Sequence, residues 1–354
     1  MRILSASEAI GPAWERTREV LLEPFAGRRF LKLAAVATLA ALGNSFSFSS
    51  SSHGGHAGQA LHPAAAVALA AALALVGLIA LIVTLILFYI GSRMQFVLFE
   101  VVATRTSTIG PLWSRYGRVA WRWVGMKLLF LLGAGVVSAV IAAPFLFLVL
   151  RHGGSQGSPL RAAMHLVPFV AVVIALVLLI LAVYFLLLDF ALPIIALEDA
   201  SMGLAMRRLG SIIDEFPGEV FLYLVLKTVL AILLFIGAMA VLGISLLILL
   251  IPFALVAGFA SILLRHAGLF GHLLLVIGGG VEFLLFAALA VCLYIAAIGY
   301  VQTFLQAYAL YFLGGRYPLL GNLIEPPPPA PVAAPEPLPV LPPLPSDPAA
   351  NEVW

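Results

Sequence analysis

The stretch PAAAVALAAALALVGLIALIVTLILFYIGS, residues 63–92, contains no charged residue and decides the class of fold. As a helix it rises about 45 Å, whereas the hydrocarbon core of a bilayer is about 30 Å thick. We therefore predict that these residues cross a membrane as one helix. By the same criterion residues 121–150 and 163–188 each predict a further span, and residues 31–43 predict a shorter one.

The composition of the whole chain agrees with a membrane protein. Of its 354 residues, 63% are hydrophobic and only 10% are charged, whereas a soluble domain carries about 25% charged residues. A water-soluble globular fold is excluded. The net charge of +3 is too small to indicate a nucleic-acid partner. The single cysteine, Cys292, lies in an apolar run and predicts neither a disulfide framework nor a thiolate metal site.

The positions of the positive charges predict the orientation. Short loops rich in Lys and Arg remain in the cytoplasm. If the N-terminus is cytoplasmic and the spans alternate, all Lys and Arg except Arg151, Arg161 and Arg265 fall on the cytoplasmic side. We therefore predict that both termini are cytoplasmic.

A short string recurs three times along the chain, as IGPAWER at 10–16, IGPLWSR at 109–115 and, in a degraded form, MGLAMRR at 202–208. Each copy begins an amphipathic segment that is followed by an apolar span. We interpret this as three units, each an interfacial helix followed by a helical hairpin, over about 5–104, 105–199 and 200–315. The predicted fold is an all-α integral membrane bundle of about six spans, occupying residues 1–320.

The third unit allows more than one number of membrane crossings. Its outgoing span is placed at 220 to about 245 and its returning span at about 281 to 305. Residues 249–280, which contain Pro252 and the run Gly278–Gly280, are then predicted to be a broken outer segment. This segment is either re-entrant or raises the number of spans to seven or eight.

Two segments of biased composition lie outside the predicted spans. Residues 44–62 form a Ser/Gly/His-rich outer linker, in which the spacing of His53, His56 and His62 fits a loose metal site. No cysteine or carboxylate accompanies these histidines, so we predict no metal. Residues 321–354 are Pro-rich and predict a disordered cytoplasmic tail, either a solvated spacer or a docking segment for a protein partner through its PxxP spacings.

One lysine stands near the start of each outgoing span: Lys32, Lys127 and Lys227. Two interpretations remain open. Each ammonium reaches the headgroups along its own apolar stem, or the repeat brings the three lysines around one centre, where they bind an anion or a lipid headgroup.

Two acids occur within the apolar regions. Asp189 lies near the inner end of a returning span and needs a partner, for which Lys127 and Lys227 are the candidates. A structural ion pair is favoured over a proton relay or a substrate site, because a relay uses several acids spaced through the membrane. Glu282 is the second acid. Its predicted position in the outer leaflet is too far from Asp189 for direct coupling.

No pattern in the sequence predicts a reaction. There is no GxxxxGK[ST] loop, no GxGxxG after a strand, and no acid near the serines of the outer linker that would complete a catalytic triad. We therefore predict no enzyme, no catalytic residue and no cofactor.

Several segments resemble a known group of proteins: SASEAIGPAWERTREVLLEPF (5–25), RRFLKLA (28–34), DFALPIIALED (189–199) and YVQTFLQAYALYFLGG (300–315). Over about residues 5–320 the chain resembles uncharacterised bacterial multi-span proteins related to the membrane domain of glycerophosphoryl diester phosphodiesterases. The resemblance implies a helical bundle in the bacterial inner membrane. Nothing in the chain resembles the separate catalytic barrel of those enzymes, so their activity is not implied.

Two functional hypotheses follow. The first is a non-enzymatic scaffold or lipid- and partner-binding bundle, which the absence of a catalytic pattern favours. The alternative is a transporter or channel for a lipid-like or small anionic solute, which the internal repeat and the residues Asp189, Lys127 and Lys227 favour. A membrane-embedded hydrolase is the weakest reading.

Overall fold

The computed structural model describes residues 2–43, 63–152, 159–264 and 268–325. In these ranges the chain is helical and contains no strand. The helices, in chain order, are α1 Ile10–Leu22, α2 Gly27–Leu42, α3 Pro63–Thr104, α4 Ile109–Arg115, α5 Gly117–His152, α6 Pro159–Leu186, α7 Leu192–Glu198, α8 Met202–Glu215, α9 Pro217–Leu264, α10 Gly268–Gly314 and α11 Pro318–Ile324, with a π-helical turn at Leu187–Ala191 between α6 and α7.

Five stretches of the described chain are long and apolar enough to cross a membrane. They are Leu69–Thr104, Gly117–Pro144, Val167–Glu198, Pro217–Leu264 and Gly268–Gly314. The prediction of an all-helical membrane protein is therefore confirmed. The predicted short span at 31–43 is not among the five.

The segment predicted as that short span forms α2, an internal helix. Its 16 residues rise only about 24 Å, less than the hydrocarbon core of about 30 Å. One face is buried against α10, where the Thr38 hydroxyl donates to the carbonyl of Ile295 at 3.2 Å. At its end Gly43 meets Gly91 of α3 so closely that a Cβ on Gly43 would lie 2.5 Å from the carbonyl carbon of Gly91.

The buried residues gather at one end of the long helices, which we call the base. The base consists of the last turns of α3 and α10, the first turns of α5 and α9, the π-helical turn, and the short helices α1, α4, α7, α8 and α11. Phe96, Trp123, Phe190, Tyr223 and Phe312 are almost fully buried there. Beyond the base, the helices expose Leu, Ile and Val along most of their length, which is the surface expected of helices in lipid.

The third predicted unit differs from expectation. The sequence predicted a broken segment over 249–280, but α9 continues through Pro252 to Leu264 and α10 is helical throughout Gly278–Gly280. The prediction of a break was wrong because it considered the local conformational effect of the proline and glycines without the packing of the two helices. In the structure α9 and α10 pack against each other here, as the edge-on contact of Phe253 with Phe286 at 5.5 Å shows, and such packing lets a membrane helix tolerate these residues.

The two ends of the described chain meet on the base. Arg16 of α1 donates to the carbonyl of Ile324 in α11 at 3.2 Å, and Arg316 donates to the carbonyl of Leu4 at 3.0 Å. The folded region therefore extends through Ile324, past the predicted boundary at residue 320. The histidines of the 44–62 linker and the Pro-rich segment after residue 325 lie outside the described residues.

Candidate functional site

Asp189 lies in the π-helical turn Leu187–Ala191, where the N–H of Leu192 bonds to the carbonyl of Leu187, five residues back. A local cause is Pro193, which has no N–H to offer the Asp189 carbonyl and whose ring would clash with it in a regular α-helix. The wider turn avoids this clash. Such π-helical turns within helices often occur at functional sites.

The Asp189 carboxylate has two partners on α9. The Lys227 ammonium forms an ion pair with it, and the Tyr223 hydroxyl donates to the same oxygen at 2.8 Å. Tyr223 and Lys227 are four residues apart and so lie on one face of α9. All three side chains are almost completely buried. Asp189 is therefore paired with Lys227, one of its two predicted candidates.

Lys127 of α5 lies in a different setting. Its ammonium donates to the carbonyl of Gly43 at 2.9 Å and to the Ser92 hydroxyl at 3.3 Å, and no carboxylate of the described chain forms an ion pair with it. Gly43 follows the last residue of α2, so its carbonyl belongs to the negative end of the helix dipole. The cation thus substitutes for a helix cap at the end of α2.

A second polar link joins the same three helices one turn nearer the base. The Trp123 indole of α5 donates to the Gln95 side-chain oxygen of α3 at 2.7 Å. The Gln95 amide in turn donates to the carbonyl of Ala40 in α2 at 3.1 Å. Together with the Lys127 contacts, this link satisfies backbone carbonyls at the end of α2, which have no partner inside the helix.

We expect Trp123→Phe to lower the free energy of unfolding by about 1–2 kcal/mol, because it leaves the buried Gln95 oxygen without the indole donor while keeping an aromatic ring. Trp121→Phe is the matched control, since Trp121 is exposed and its replacement should change stability by no more than about 0.5 kcal/mol. Unfolding in mixed detergent micelles measures both. Equal stability of the two variants would contradict a role for the link.

The surroundings of Lys127 and Lys227 follow one pattern. An aromatic hydrogen-bond donor stands four residues before each lysine. Each lysine also contacts one polar residue on the preceding returning helix. A phenylalanine stands four residues before that polar residue. The ammonium lies 5.4 Å from one phenylalanine ring and 5.3 Å from the other. The two sets are Trp123, Lys127, Phe88 and Ser92, and Tyr223, Lys227, Phe185 and Asp189. The sets differ mainly in that Ser92 stands where the other has Asp189.

The structure does not bring the three lysines to a shared partner. Lys32 is exposed, whereas Lys127 and Lys227 are buried with separate partners. For Lys32, contact with the headgroups through its long apolar stem stays a prediction. Lys127 and Lys227 instead bind protein groups inside the structure, and neither reaches the headgroups nor shares a centre with the other lysines.

Two further acids anchor the base through similar pairs. Glu100 accepts from Arg115 at 2.8 Å and from the Tyr116 hydroxyl at 2.5 Å. Glu198 lies 2.8 Å from Arg208, and accepts from the Tyr317 hydroxyl at 2.5 Å. Burial, followed by the bond to Glu100, raises the pKa of Tyr116 above its usual value. Each acid is thus held by one cation and one phenol.

Glu282 lies apart from these groups, in a cavity of about 440 Å³ between α9 and α10. One of its carboxylate oxygens is buried and has no hydrogen-bond partner among the described residues. Asp189 does not line this cavity. That the two acids do not couple directly stays a prediction.

Sequence reasoning missed several residues of the buried polar contacts, notably Tyr223, Gln95, Ser92 and Arg16. Arg16 is only 2% exposed, although its place on an amphipathic helix suggested an interfacial side chain. One available signal was the spacing of four between an aromatic residue and lysine, which Trp123–Lys127 and Tyr223–Lys227 share.

These observations define an all-helical protein with apolar helices suited to a membrane and a tightly packed apolar base that contains buried polar contacts. Among the described residues no cluster of three or more potential metal ligands occurs. The chain belongs to a family of unknown function, DUF7544, whose model matches residues 4–323. No curated protein and no solved structure matches it. The match spans the base and all five long apolar stretches and assigns no activity.

Proposed function

We propose that the protein is a non-enzymatic membrane scaffold, whose rigid base fixes the helix ends and whose apolar helices bind lipid or a partner protein. The observation that carries this proposal is the pairing of Asp189. Its carboxylate is 1% exposed and is occupied by Lys227 and Tyr223. A proton carrier or substrate site needs a group that exchanges partners during the cycle. Asp189 instead joins the π-helical turn to α9.

We further propose the architecture of three units and six spans, in which the short helix α2, packed against α3 and α10, is the sixth span. The three recurring strings support it, because helices α1, α4 and α8 begin at Ile10, Ile109 and Met202, the first residue of each copy. The matching surroundings of Lys127 and Lys227 support the equivalence of two units. The spacing to the next acid also matches. Ser92 precedes Glu100 by eight residues, whereas its counterpart Asp189 precedes Glu198 by nine. The wider π-helical turn accounts for the additional residue.

The orientation and location are part of the same proposal. The contact of Arg16 with Ile324 supports termini on one side of the membrane, and the excess of Lys and Arg near the base favours the cytoplasm. The resemblance to bacterial membrane domains related to glycerophosphoryl diester phosphodiesterases favours the inner membrane. We also propose that the Pro-rich segment after residue 325 provides the contact with a protein partner.

A transporter is the second candidate, and the cavity beside Glu282 is the observation that favours it. An acid in an apolar cavity is a recurrent feature of transport pathways. The internal repeat adds to this, since many transporters consist of repeated units. On this alternative Glu282, and not Asp189, exchanges partners during transport.

Proteoliposomes that enclose a pH-sensitive dye distinguish the two candidates. With an imposed potassium diffusion potential, the scaffold predicts a proton flux no faster than that of protein-free vesicles, with the same result for Asp189→Asn. Transport through the cavity predicts a protein-dependent flux that Glu282→Gln abolishes. A flux abolished by Asp189→Asn, in a variant that remains folded, would overturn the structural role given to the ion pair.

A further inference from the structure

The cavity between α9 and α10 has the dimensions of a small-molecule site. Its volume of about 440 Å³ lies within the range of about 300–1,000 Å³ typical of such sites. Except for Glu282, its lining is apolar and is supplied by residues between Pro252 and Leu264 on α9 and between Leu274 and Leu285 on α10. The cavity belongs to neither the base nor the Lys127 and Asp189 contacts.

Small side chains keep this space open. Ala257 and Ala260 of α9 and Gly278 and Gly279 of α10 all line it. A Cβ added to either glycine would meet no atom within 4 Å. The paired rings of Phe253 and Phe286 hold the two helices together near the base-facing end. The helices are thus in contact without filling the volume between them.

Glu282 is the polar side chain of this lining, and its carboxylate lacks a counterion among the described residues. The other acids in the long apolar stretches are all paired with cations: Asp189 with Lys227, Glu100 with Arg115, Glu198 with Arg208 and Glu219 with Arg316. Glu282 has a buried oxygen without a partner in the described part of the chain. Glu282 as a whole is only partly buried, but burying even one carboxylate oxygen without a hydrogen-bond donor or counterion is costly. The missing partner is therefore expected to be a positively charged donor.

The remaining lining specifies the rest of the ligand. No Lys, Arg or His occurs among the described residues that line the cavity, so a phosphate or sulfate group on the ligand would be left unpaired there. The apolar walls favour a hydrocarbon body. Val256, Leu274 and Val281 are lining residues that are also more than one-third exposed, so a ligand reaches the cavity from the surrounding acyl chains.

We propose that this cavity binds an amphipathic monocation, a molecule with one ammonium group on a hydrocarbon body, and that Glu282 is its counterion. The ammonium donates hydrogen bonds to the carboxylate and neutralises its charge, while the hydrocarbon occupies the space beside Gly278 and Gly279. This site lies beyond the scaffold role, and its occupation does not depend on that role being correct.

Binding of three probes with the same chain tests the proposal: decylammonium, decyl sulfate and decanol. The full chain is placed in nanodiscs of phosphatidylcholine, and empty nanodiscs correct for partition into lipid. We expect saturable binding of decylammonium alone. Glu282→Gln should weaken it at least tenfold, whereas Glu15→Gln, which removes an exposed acid of α1, should leave it unchanged.

A second variant tests the cavity volume independently of the Glu282 charge. Gly279→Leu keeps Glu282 and fills the cavity, and the open surroundings of Gly279 predict that the protein still folds. We expect this variant also to lose decylammonium binding. Equal binding by the wild type and Glu282→Gln, or saturable binding of decyl sulfate or decanol as tight as that of decylammonium, would overturn the proposal. Unchanged binding by a folded Gly279→Leu variant would do the same.

Discussion

Replacing Lys227 with methionine is expected to lower the free energy of unfolding by about 3–5 kcal/mol, because it leaves the Asp189 carboxylate buried without a cation. Methionine keeps most of the side-chain volume, so the loss reports the charge and not a cavity. Among the described residues Tyr223 would remain as the donor to this carboxylate, which does not compensate for the missing ammonium. The measurement is unfolding by sodium dodecyl sulfate in mixed micelles, followed by tryptophan fluorescence.

Two further variants serve as controls for the Lys227→Met result. Lys32→Met removes an exposed lysine from the corresponding position of another proposed unit, and should change stability by less than about 0.5 kcal/mol. Asp189→Asn combined with Lys227→Met removes both charges and should recover most of the loss, since replacing a buried pair by neutral groups is far less costly than breaking it. A stable Lys227→Met single variant would contradict the assignment of the pair.

Gly91→Ala is expected to lower the free energy of unfolding by about 3 kcal/mol, at the upper end for an overpacked site. The added Cβ would lie 2.5 Å from the Cα of Gly43, and backbone cannot rotate away as a side chain can. α2 must then move from α3, and the Gly43 carbonyl moves away from the Lys127 ammonium that it accepts from.

The same substitution elsewhere in α3 should have the opposite sign. Gly77 has no atom within 4 Å of an added Cβ, so Gly77→Ala should raise stability by about 0.5–1 kcal/mol through the lower conformational entropy of alanine in the unfolded chain. Thermal unfolding in one detergent measures both variants. A Gly91→Ala variant as stable as Gly77→Ala would show that α2 and α3 are not in close contact at this point.

The class of fold could be predicted from the sequence because it depends on composition and on the length of uncharged runs, as in residues 63–92. The helix starts at Ile10 and Ile109 could also be predicted, from the recurring string. Lys227 was one of two partners predicted for Asp189, and periodicity alone had no means of choosing between Lys127 and Lys227. That choice depends on which helix lies beside the π-helical turn.

The remaining differences come from contacts between distant parts of the chain. The internal position of α2 depends on the close approach of Gly43 to Gly91, two glycines with no motif in common. The continuity of α9 through Pro252 depends on the presence of α10. The burial of Arg16 depends on α11, which ends more than 300 residues later. Local propensity contains none of this information, because tertiary packing overrides it.

The length of the α9–α10 hairpin has a consequence for the surrounding bilayer. Residues 228–264 rise about 55 Å and are mostly exposed and apolar, against a hydrocarbon thickness of about 30 Å. A tilt of 40°, the upper end of the observed range, shortens this to about 42 Å. At least about 12 Å of hydrophobic mismatch then remains, which a thickened annulus of lipid or a neighbouring protein must cover. Mismatch of this size favours partition into the thickest regions of a membrane.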